Sequence, residues 1–340
     1  MAGSLADGSR SRSGLSGTMR IALIGGGGFI GHHLALRLRP DHEVLIADPL
    51  TVNNKFVVSD PSHARMIEER LDLMRGMDIP ITYVDARDYD ILSHTVGSWR
   101  PDVIVHLAAI AHIDRANKDP FSTFDHNLRT LENTLDLARS LECRQLVFFS
   151  SSTVYGDFKK AVVGETEPCN PKGIYGSLKY AGELMVKAYG DTYGLPWTIV
   201  RPCALYGPRC ISGRVTQRFM EQAFAGEALT IQGAGTIDFT YVSDLVDGVR
   251  RTIGNEAAMG EIFNITAGEG RSLEELVEII QHNLGPVDII RMEPDPQRPV
   301  RATMSIDKAR RLLRYLPAYP LEEGMKAYIA WYKRHLNEAK

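Results

Sequence analysis

Residues 20–31 read Arg20-Ile21-Ala22-Leu23-Ile24-Gly25-Gly26-Gly27-Gly28-Phe29-Ile30-Gly31. Four apolar residues followed at once by glycines at Gly25, Gly28 and Gly31 describe a buried strand that turns tightly into a helix. Glycine suits each place: the turn is sharp, the backbone must approach a pyrophosphate closely, and the helix must pack on the strand. The helix start then offers unpaired N–H groups to phosphate. A glycine-rich turn between strand and helix also occurs for structural reasons alone, so its weight depends on the residues downstream. Asp48 stands 23 residues after Gly25, at the end of the next apolar run, where a carboxylate accepts hydrogen bonds from ribose hydroxyls and repels a 2′-phosphate. This favours NAD over NADP, against the alternative of a turn residue before Pro49. Asp85, closing a third run, is a candidate for the adenine amino group or a plain strand-end carboxylate.

Outward from this turn, short apolar runs alternate with helical patterns. Strands are expected at Ile21–Ile24, Val44–Ala47, Ile81–Val84, Val103–Leu107, Leu146–Phe149 and Thr198–Val200, and helices at Gly28–Leu38, Ala64–Met74, Phe121–Leu141 and Ile174–Tyr193. Runs apolar throughout, separated by crossovers, predict an α/β fold with a doubly wound parallel sheet. After Pro202 the alternation weakens and the helices Leu273–Leu284, Lys308–Tyr315 and Leu321–His335 dominate, which predicts a smaller, mixed C-terminal domain. The expected division is a disordered tail or misplaced start at 1–18, a dinucleotide-binding domain at 19–202 with a returning segment near 238–266, and a substrate domain from 203–237 and 267–340.

Composition narrows the class. At 340 residues, 44% hydrophobic and 24% charged, the chain is an ordinary globular one of about two domains. With 39 basic against 42 acidic residues, no excess of positive charge points to nucleic acid as a partner. No apolar run reaches the length of a bilayer span, so no membrane partner is expected; the longest, Val103 to Ile113, contains His106 and His112. Cys143, Cys169, Cys203 and Cys210 form no CxxC pair and predict neither a metal site nor a disulfide framework, which fits a reducing cytoplasm. His32 and His33 read as packing or surface residues.

Two constellations carry candidate chemistry: Ser150-Ser151-Ser152-Thr153-Val154-Tyr155-Gly156, and Tyr175-Gly176-Ser177-Leu178-Lys179. Four residues apart on a helix, Tyr175 and Lys179 share a face. A phenol is a poor base at neutral pH, and bringing its pKa from near 10 to about 7 takes roughly 4 kcal/mol. One ammonium about 4 Å away supplies on the order of 4 kcal/mol at an effective dielectric of 20. Beside a nicotinamide, Lys179 would make Tyr175 a usable base.

Taken in order, the glycine turn, Asp48, Leu107-Ala108-Ala109, Ser151, Tyr175-xxx-Lys179 and Arg201-Pro202 through Tyr206-Gly207-Pro208 resemble the extended short-chain dehydrogenase/reductases, in their nucleotide-sugar epimerase/dehydratase group. The resemblance spans about residues 20 to 335. It implies NAD held by Gly25, Gly28, Phe29, Ile30, Gly31, Asp48, Asp85, Ala86, Leu107, Ala108, Ala109 and Pro202, with Tyr175 and Lys179 at the nicotinamide ribose. It implies Tyr175 as base, Lys179 lowering the phenol pKa, and Ser151 bonding the sugar hydroxyl. For the nucleotide sugar it implies a pocket of Ser151, Ser152, Thr153, His112, Tyr175, Ala204, Arg209 and Arg214. His112 has the alternative of a hydrogen-bonded structural residue. Members of the group also commonly pair two long helices, here Phe121–Leu141 and Ile174–Tyr193, across a two-fold axis, so a homodimer is expected.

Departures from the family pattern sharpen the expected reaction. Dehydratases of the group carry Asp-Glu after the catalytic Ser or Thr, whereas Ser152 and Thr153 stand here. Without that acid pair the expected reaction is 4-epimerisation of a hexose, uronate or heptose through a transient 4-keto sugar, with NAD retained. Ala204 replaces a diphosphate-binding Asn, Ile237 replaces an Arg before Asp238-Phe239, and Gln297-Arg298-Pro299-Val300-Arg301 replaces a late Arg-x-Gly-Asp. Arg209, Arg214, Arg298 and Arg301 are candidate substitutes, each against the alternative of a solvated surface charge. These losses leave room for an NAD-linked dehydrogenase or reductase of a different sugar or polyol. A non-catalytic NAD-binding regulator is the alternative of another class.

Overall fold

In a computed structural model the described residues are 17–51, 58–111, 113–233, 235–295 and 299–337. Strands β1 (Arg20–Ile24), β2 (Glu43–Ala47), β3 (Ile81–Thr82), β4 (Val103–His106), β5 (Gln145–Phe149), β6 (Trp197–Arg201) and β7 (Glu261–Asn264) form a parallel sheet in the order β3-β2-β1-β4-β5-β6-β7. The doubly wound α/β expectation holds, with one strand more than the six read from the alternation. β7 joins the edge through Ile262 opposite Ile199 and Phe263 opposite Val200. The third strand ends at Thr82 rather than Val84.

Successive strand residues point to opposite faces, and both faces are covered. Ile21, Leu23, Val44, Ile46, Val105, Val147 and Val200 meet Leu34, Ala35 and Leu38 of helix α1 (Phe29–Leu38) in one core, which also takes Leu245 and Val249. Ala22, Ile24, Leu45, Ile104, Leu146, Phe148 and Ile199 form the other core with Leu131, Leu135 and Val186. Helix α2 (Pro61–Gly76) starts where Asp60 accepts hydrogen bonds from the Ser62 and His63 amides, with proline in its first turn.

The helix expected at Phe121–Leu141 is not continuous. Pro120–Phe124 passes through a π-helical turn, Asp125–Arg129, into α3 (Thr130–Ser140). That turn carries Asn127, whose side chain accepts from the Ile110 amide at 2.8 Å and donates to the Ile110 carbonyl at 3.4 Å, pinning the loop after β4. Helix α4 (Gly173–Tyr193) follows. Beyond β6, Phe219, Met220, Ile231, Phe239, Leu276, Ile280, Tyr328 and Trp331 build a separate apolar cluster. The expected helix Lys308–Tyr315 spans Asp307–Leu313.

Candidate active site

The sheet reverses its winding between β1 and β4, and both run level there, with Ile24 opposite His106. Ligands of open α/β sheets bind at such a switch point. The Leu107 and Ala108 amides both donate to the Ile24 carbonyl, at 2.8 and 2.9 Å, so the two strand ends close on each other. Gly25 adopts a left-handed φ of 80°, and a Cβ on it would lie 2.6 Å from the Ala108 backbone. A Cβ on Gly31 would lie 2.3 Å from the Gly26 carbonyl oxygen. Gly28 caps α1 with no side-chain acceptor, and no acidic residue occupies the first turn. The bare turn and free helix start fit a dinucleotide pyrophosphate.

Asp48 is buried and accepts from the Gly27 amide at 2.9 Å and the Leu50 amide at 2.7 Å. Burial raises its pKa, opposed by those two bonds and by the charge of Arg70. Its carboxylate thus braces the glycine turn at the end of β2. Asp85 is held by the guanidinium fork of Arg87, at 3.0 Å from Nε and 2.5 Å from Nη2, which lowers its pKa. The Ala86 and Arg87 carbonyls accept from Asn133, each at 2.9 Å.

Ser151 follows β5 in extended conformation and caps the short turn Ser152–Tyr155, accepting from the Thr153 amide at 3.2 Å. Gly176 lets α4 lie on this turn, since a Cβ there would be 2.9 Å from the Thr153 carbonyl oxygen. Tyr175 is thereby brought beside the Ser151 hydroxyl and is buried. One turn on, Lys179 is buried beside the Phe148 ring and donates from Nζ to the Phe149 carbonyl at 2.7 Å.

Burial raises the Tyr175 pKa, and it is opposed by Arg214, by the Ser151 hydroxyl and by Arg301. Burial also pushes Lys179 down to about 7, with only Glu183 favouring its charge. The charges that oppose the burial of the Tyr175 phenol are the guanidiniums of Arg214 and Arg301. No carboxyl group is among them.

Glu183 itself is committed. Arg201 binds it through Nε at 2.8 Å and Nη2 at 2.6 Å, Ser150 donates to it at 2.5 Å, and both charged partners are buried. Arg201 also lies 4.7 Å from the Tyr155 ring, whose hydroxyl donates to Asn264 at 2.8 Å. This network joins β5, β6, β7 and α4 beneath Tyr175 and Lys179. Nothing in the spacing of Glu183 and Arg201 announces it.

The remaining expected substrate residues separate. Arg209 donates from Nε to His32 Nε2 at 3.0 Å and pairs through Nη1 with Glu69 at 2.8 Å, so its guanidinium serves the junction with α1 and α2 rather than the Ser151–Tyr175 cleft. Because Arg209 can only donate, His32 must carry its proton on Nδ1, which donates to the Gly28 carbonyl at 2.9 Å. Burial keeps His32 neutral, far below its ordinary pKa. Far from being surface residues, His32 and His33 are gripped, His33 by the Pro208 carbonyl at 3.1 Å. Ala204 has a φ of 35°, a left-handed geometry that Asn tolerates better than Ala. Pro202 accepts from the Ser152 amide at 2.9 Å, and Ser152 Oγ accepts from Arg301 at 3.2 Å. His112, Arg298 and residues 1–16 of the expected tail lie outside the described residues. Among those described, no helix is long and apolar enough to cross a membrane, and no His/Cys/Asp/Glu cluster could hold a metal ion.

Comparison with known proteins agrees with this geometry. Residues 21–266 match the NAD dependent epimerase/dehydratase family. An uncharacterized UDP-glucose epimerase of Bacillus subtilis is 31% identical over 92% of this chain and 98% of its own length. UDP-glucuronic acid decarboxylase 1 of Danio rerio is 30% identical over 93% of this chain and 73% of its own. The crystal structure of UDP-glucuronic acid 4-epimerase from Bacillus cereus, in complex with UDP-glucuronic acid and NAD, superposes with a TM-score of 0.83 at 26% identity, covering 93% of this chain and 99% of that one. The chain belongs to the NAD dependent epimerase/dehydratase family and is an NAD-dependent enzyme of the extended short-chain dehydrogenase/reductase type.

Proposed function

We propose that the protein is a nucleotide-sugar 4-epimerase. The observation that carries this reading is the buried contact of Tyr175 with Ser151, flanked by Ser152 and Thr153 where a dehydratase needs carboxyl groups. NAD, when bound, supplies the reversible hydride acceptor that turns the C4 carbinol into a ketone and back. Gly25, Gly28, Phe29, Ile30 and Gly31 would hold its pyrophosphate end, Asp48 its adenosine ribose, and Lys179 its nicotinamide ribose, with Asp85, Ala86, Leu107, Ala108, Ala109 and Pro202 beside them.

Tyr175 acts on the sugar. Its phenolate takes the proton of the C4 hydroxyl, while Ser151 hydrogen-bonds the same oxygen and fixes its direction. After the keto sugar presents its other face, Tyr175 returns the proton and the C4 epimer leaves. Arg214 and Arg301 favour the phenolate that must be present before the proton is taken, since each stabilises negative charge on a buried phenol. The cycle is redox-neutral, which separates it from a net dehydrogenase or reductase.

We also place the protein in the cytoplasm as a homodimer. Exposed Phe121, Phe124, Leu184 and Tyr193 lie on the helical segments expected to pair across a two-fold axis. The function is tested by supplying UDP-glucose and UDP-glucuronate to the NAD-loaded protein and resolving the products. Conversion to the C4 epimer with no lasting change in NADH absorbance supports the reading. Net NADH formation would favour a dehydrogenase, and loss of CO2 from UDP-glucuronate a decarboxylase.

A further inference from the structure

Arg301 stands beside the catalytic pair with no carboxylate of its own. Its Nη1 donates to Ser152 Oγ at 3.2 Å and to Cys203 Sγ at 3.6 Å, and these are neutral acceptors. Several other buried or half-buried guanidiniums have anions: Arg201 has Glu183, Arg209 has Glu69, and Arg271 has Glu275 and Glu322. Among the described residues Arg301 and Arg214 are in no ion pair, although both are half-buried.

Backbone bonds fix where Arg301 sits. The Val300 amide donates to Asp157 at 2.9 Å, and its carbonyl accepts from the Phe158 amide at 2.9 Å. Two residues beyond Arg301, the Thr303 amide donates to the Ala161 carbonyl at 3.2 Å, and Thr303–Met304 pairs in parallel with Val162–Val163. The segment around Arg301 is therefore strapped to the loop that leaves the Ser152–Tyr155 turn, and the guanidinium is held over Ser152.

In the epimerase reading, on which this inference rests, Ser151 and Tyr175 meet the C4 hydroxyl. The neighbouring ring carbon, C5, carries C6, whereas the diphosphate leaves from C1 across the pyranose ring. Ser152 adjoins Ser151, so in this reading Arg301 stands on the C4 side of the ring, away from C1 and the diphosphate. We propose that Arg301, with Ser152, binds a carboxylate at C6, which makes the substrate a nucleotide-linked uronic acid. A guanidinium fork matches a carboxylate in shape and charge. It also offsets an anion placed beside a phenol that must itself ionise.

Binding to the NAD-loaded protein, measured by calorimetry with UDP-glucuronate, UDP-glucose and UDP, tests this. Wild type is expected to bind UDP-glucuronate at least about 10-fold more tightly than UDP-glucose, the size of one charged hydrogen bond. Arg301→Gln is expected to weaken UDP-glucuronate by about 10- to 100-fold while leaving UDP and UDP-glucose within about 2-fold. Arg301→Lys, which keeps the charge but not the fork, should retain part of the preference. Equal affinity of wild type for the two sugars overturns the proposal without touching the epimerase reading. So does a loss of UDP affinity in Arg301→Gln equal to that of UDP-glucuronate, which would assign the guanidinium to the diphosphate. Failure of all three probes to bind removes the nucleotide-sugar reading and this inference with it.

Discussion

The Lys179 Nζ donates to the Phe149 carbonyl oxygen at 2.7 Å, tying α4 to the end of β5 two residues before Ser151. That bond occupies one of the three protons of an ammonium whose burial moves its pKa from 10.5 to about 7. Between those two values the unfolded chain binds a proton that the native one does not, so the contribution of Lys179 to stability rises with pH across this window. Below about pH 7 the full penalty of the buried charge is present. In NAD-free protein, Lys179→Met is therefore expected to melt highest relative to wild type at about pH 6, with the gap shrinking toward about pH 9. A difference in Tm that does not vary with pH would contradict the buried-ammonium account.

Arg214 is the first of the cations that oppose the burial of the Tyr175 phenol. Its removal should raise the phenol pKa and move the acid limb of the kcat profile to higher pH. Arg214→Gln is expected to lose activity at pH 7 and regain much of it near about pH 9. An unshifted acid limb with uniformly lower kcat would mean that Arg214 only helps to bind substrate.

Asp48 joins the end of β2 to the glycine turn through its bonds to the Gly27 and Leu50 amides, and is proposed to hold the adenosine ribose. Asp48→Ala removes two charge-assisted acceptor bonds and the charge that repels a 2′-phosphate. Titration of cofactor-stripped protein should show NAD bound at least about 10-fold more weakly and the preference for NAD over NADP reduced. Equal retention of NAD by wild type and variant would return Asp48 to the role of a turn residue.

Arg201 and Glu183 test the frame under the site. Arg201→Met leaves a buried carboxylate unpaired, and a loss of about 3 to 5 kcal/mol in unfolding free energy is expected. Adding Glu183→Gln should restore part of it, because the stranded charge is gone. Additive losses in a double-mutant cycle would show that the two side chains do not act as a pair.

The features legible in the residues themselves are local. The turn at Gly25–Gly31, the carboxylate ending the second strand and the helical spacing of Tyr175 and Lys179 each follow from backbone geometry over a few residues. The hidden features depend on distant segments meeting. Glu261–Asn264 lies in the segment expected to return near 238–266, but which of its residues form the edge strand is set only by pairing beside Trp197–Arg201. Arg209 and Arg301 are equivalent as isolated arginines, yet one is drawn to His32 and Glu69 and the other to Ser152, 149 residues away. The π-helical turn at Asp125–Arg129 carries Asn127 to Ile110, a contact that helical periodicity does not encode. The apolar run overstates the third strand because Val84 is apolar and buried, although only Ile81 and Thr82 pair with β2.

In the proposed function Tyr175 serves a C4 hydride cycle that returns what it removes. The most direct measurement of this cycle uses UDP-glucose and UDP-glucuronate carrying deuterium at C4, incubated with NAD-loaded wild type and Tyr175→Phe, with the products resolved by NMR. Wild type is predicted to yield the C4 epimer with the label still at C4, and Tyr175→Phe to keep its NAD but turn over at least about 100-fold more slowly. Label lost to solvent, or near wild-type turnover by Tyr175→Phe, would contradict it.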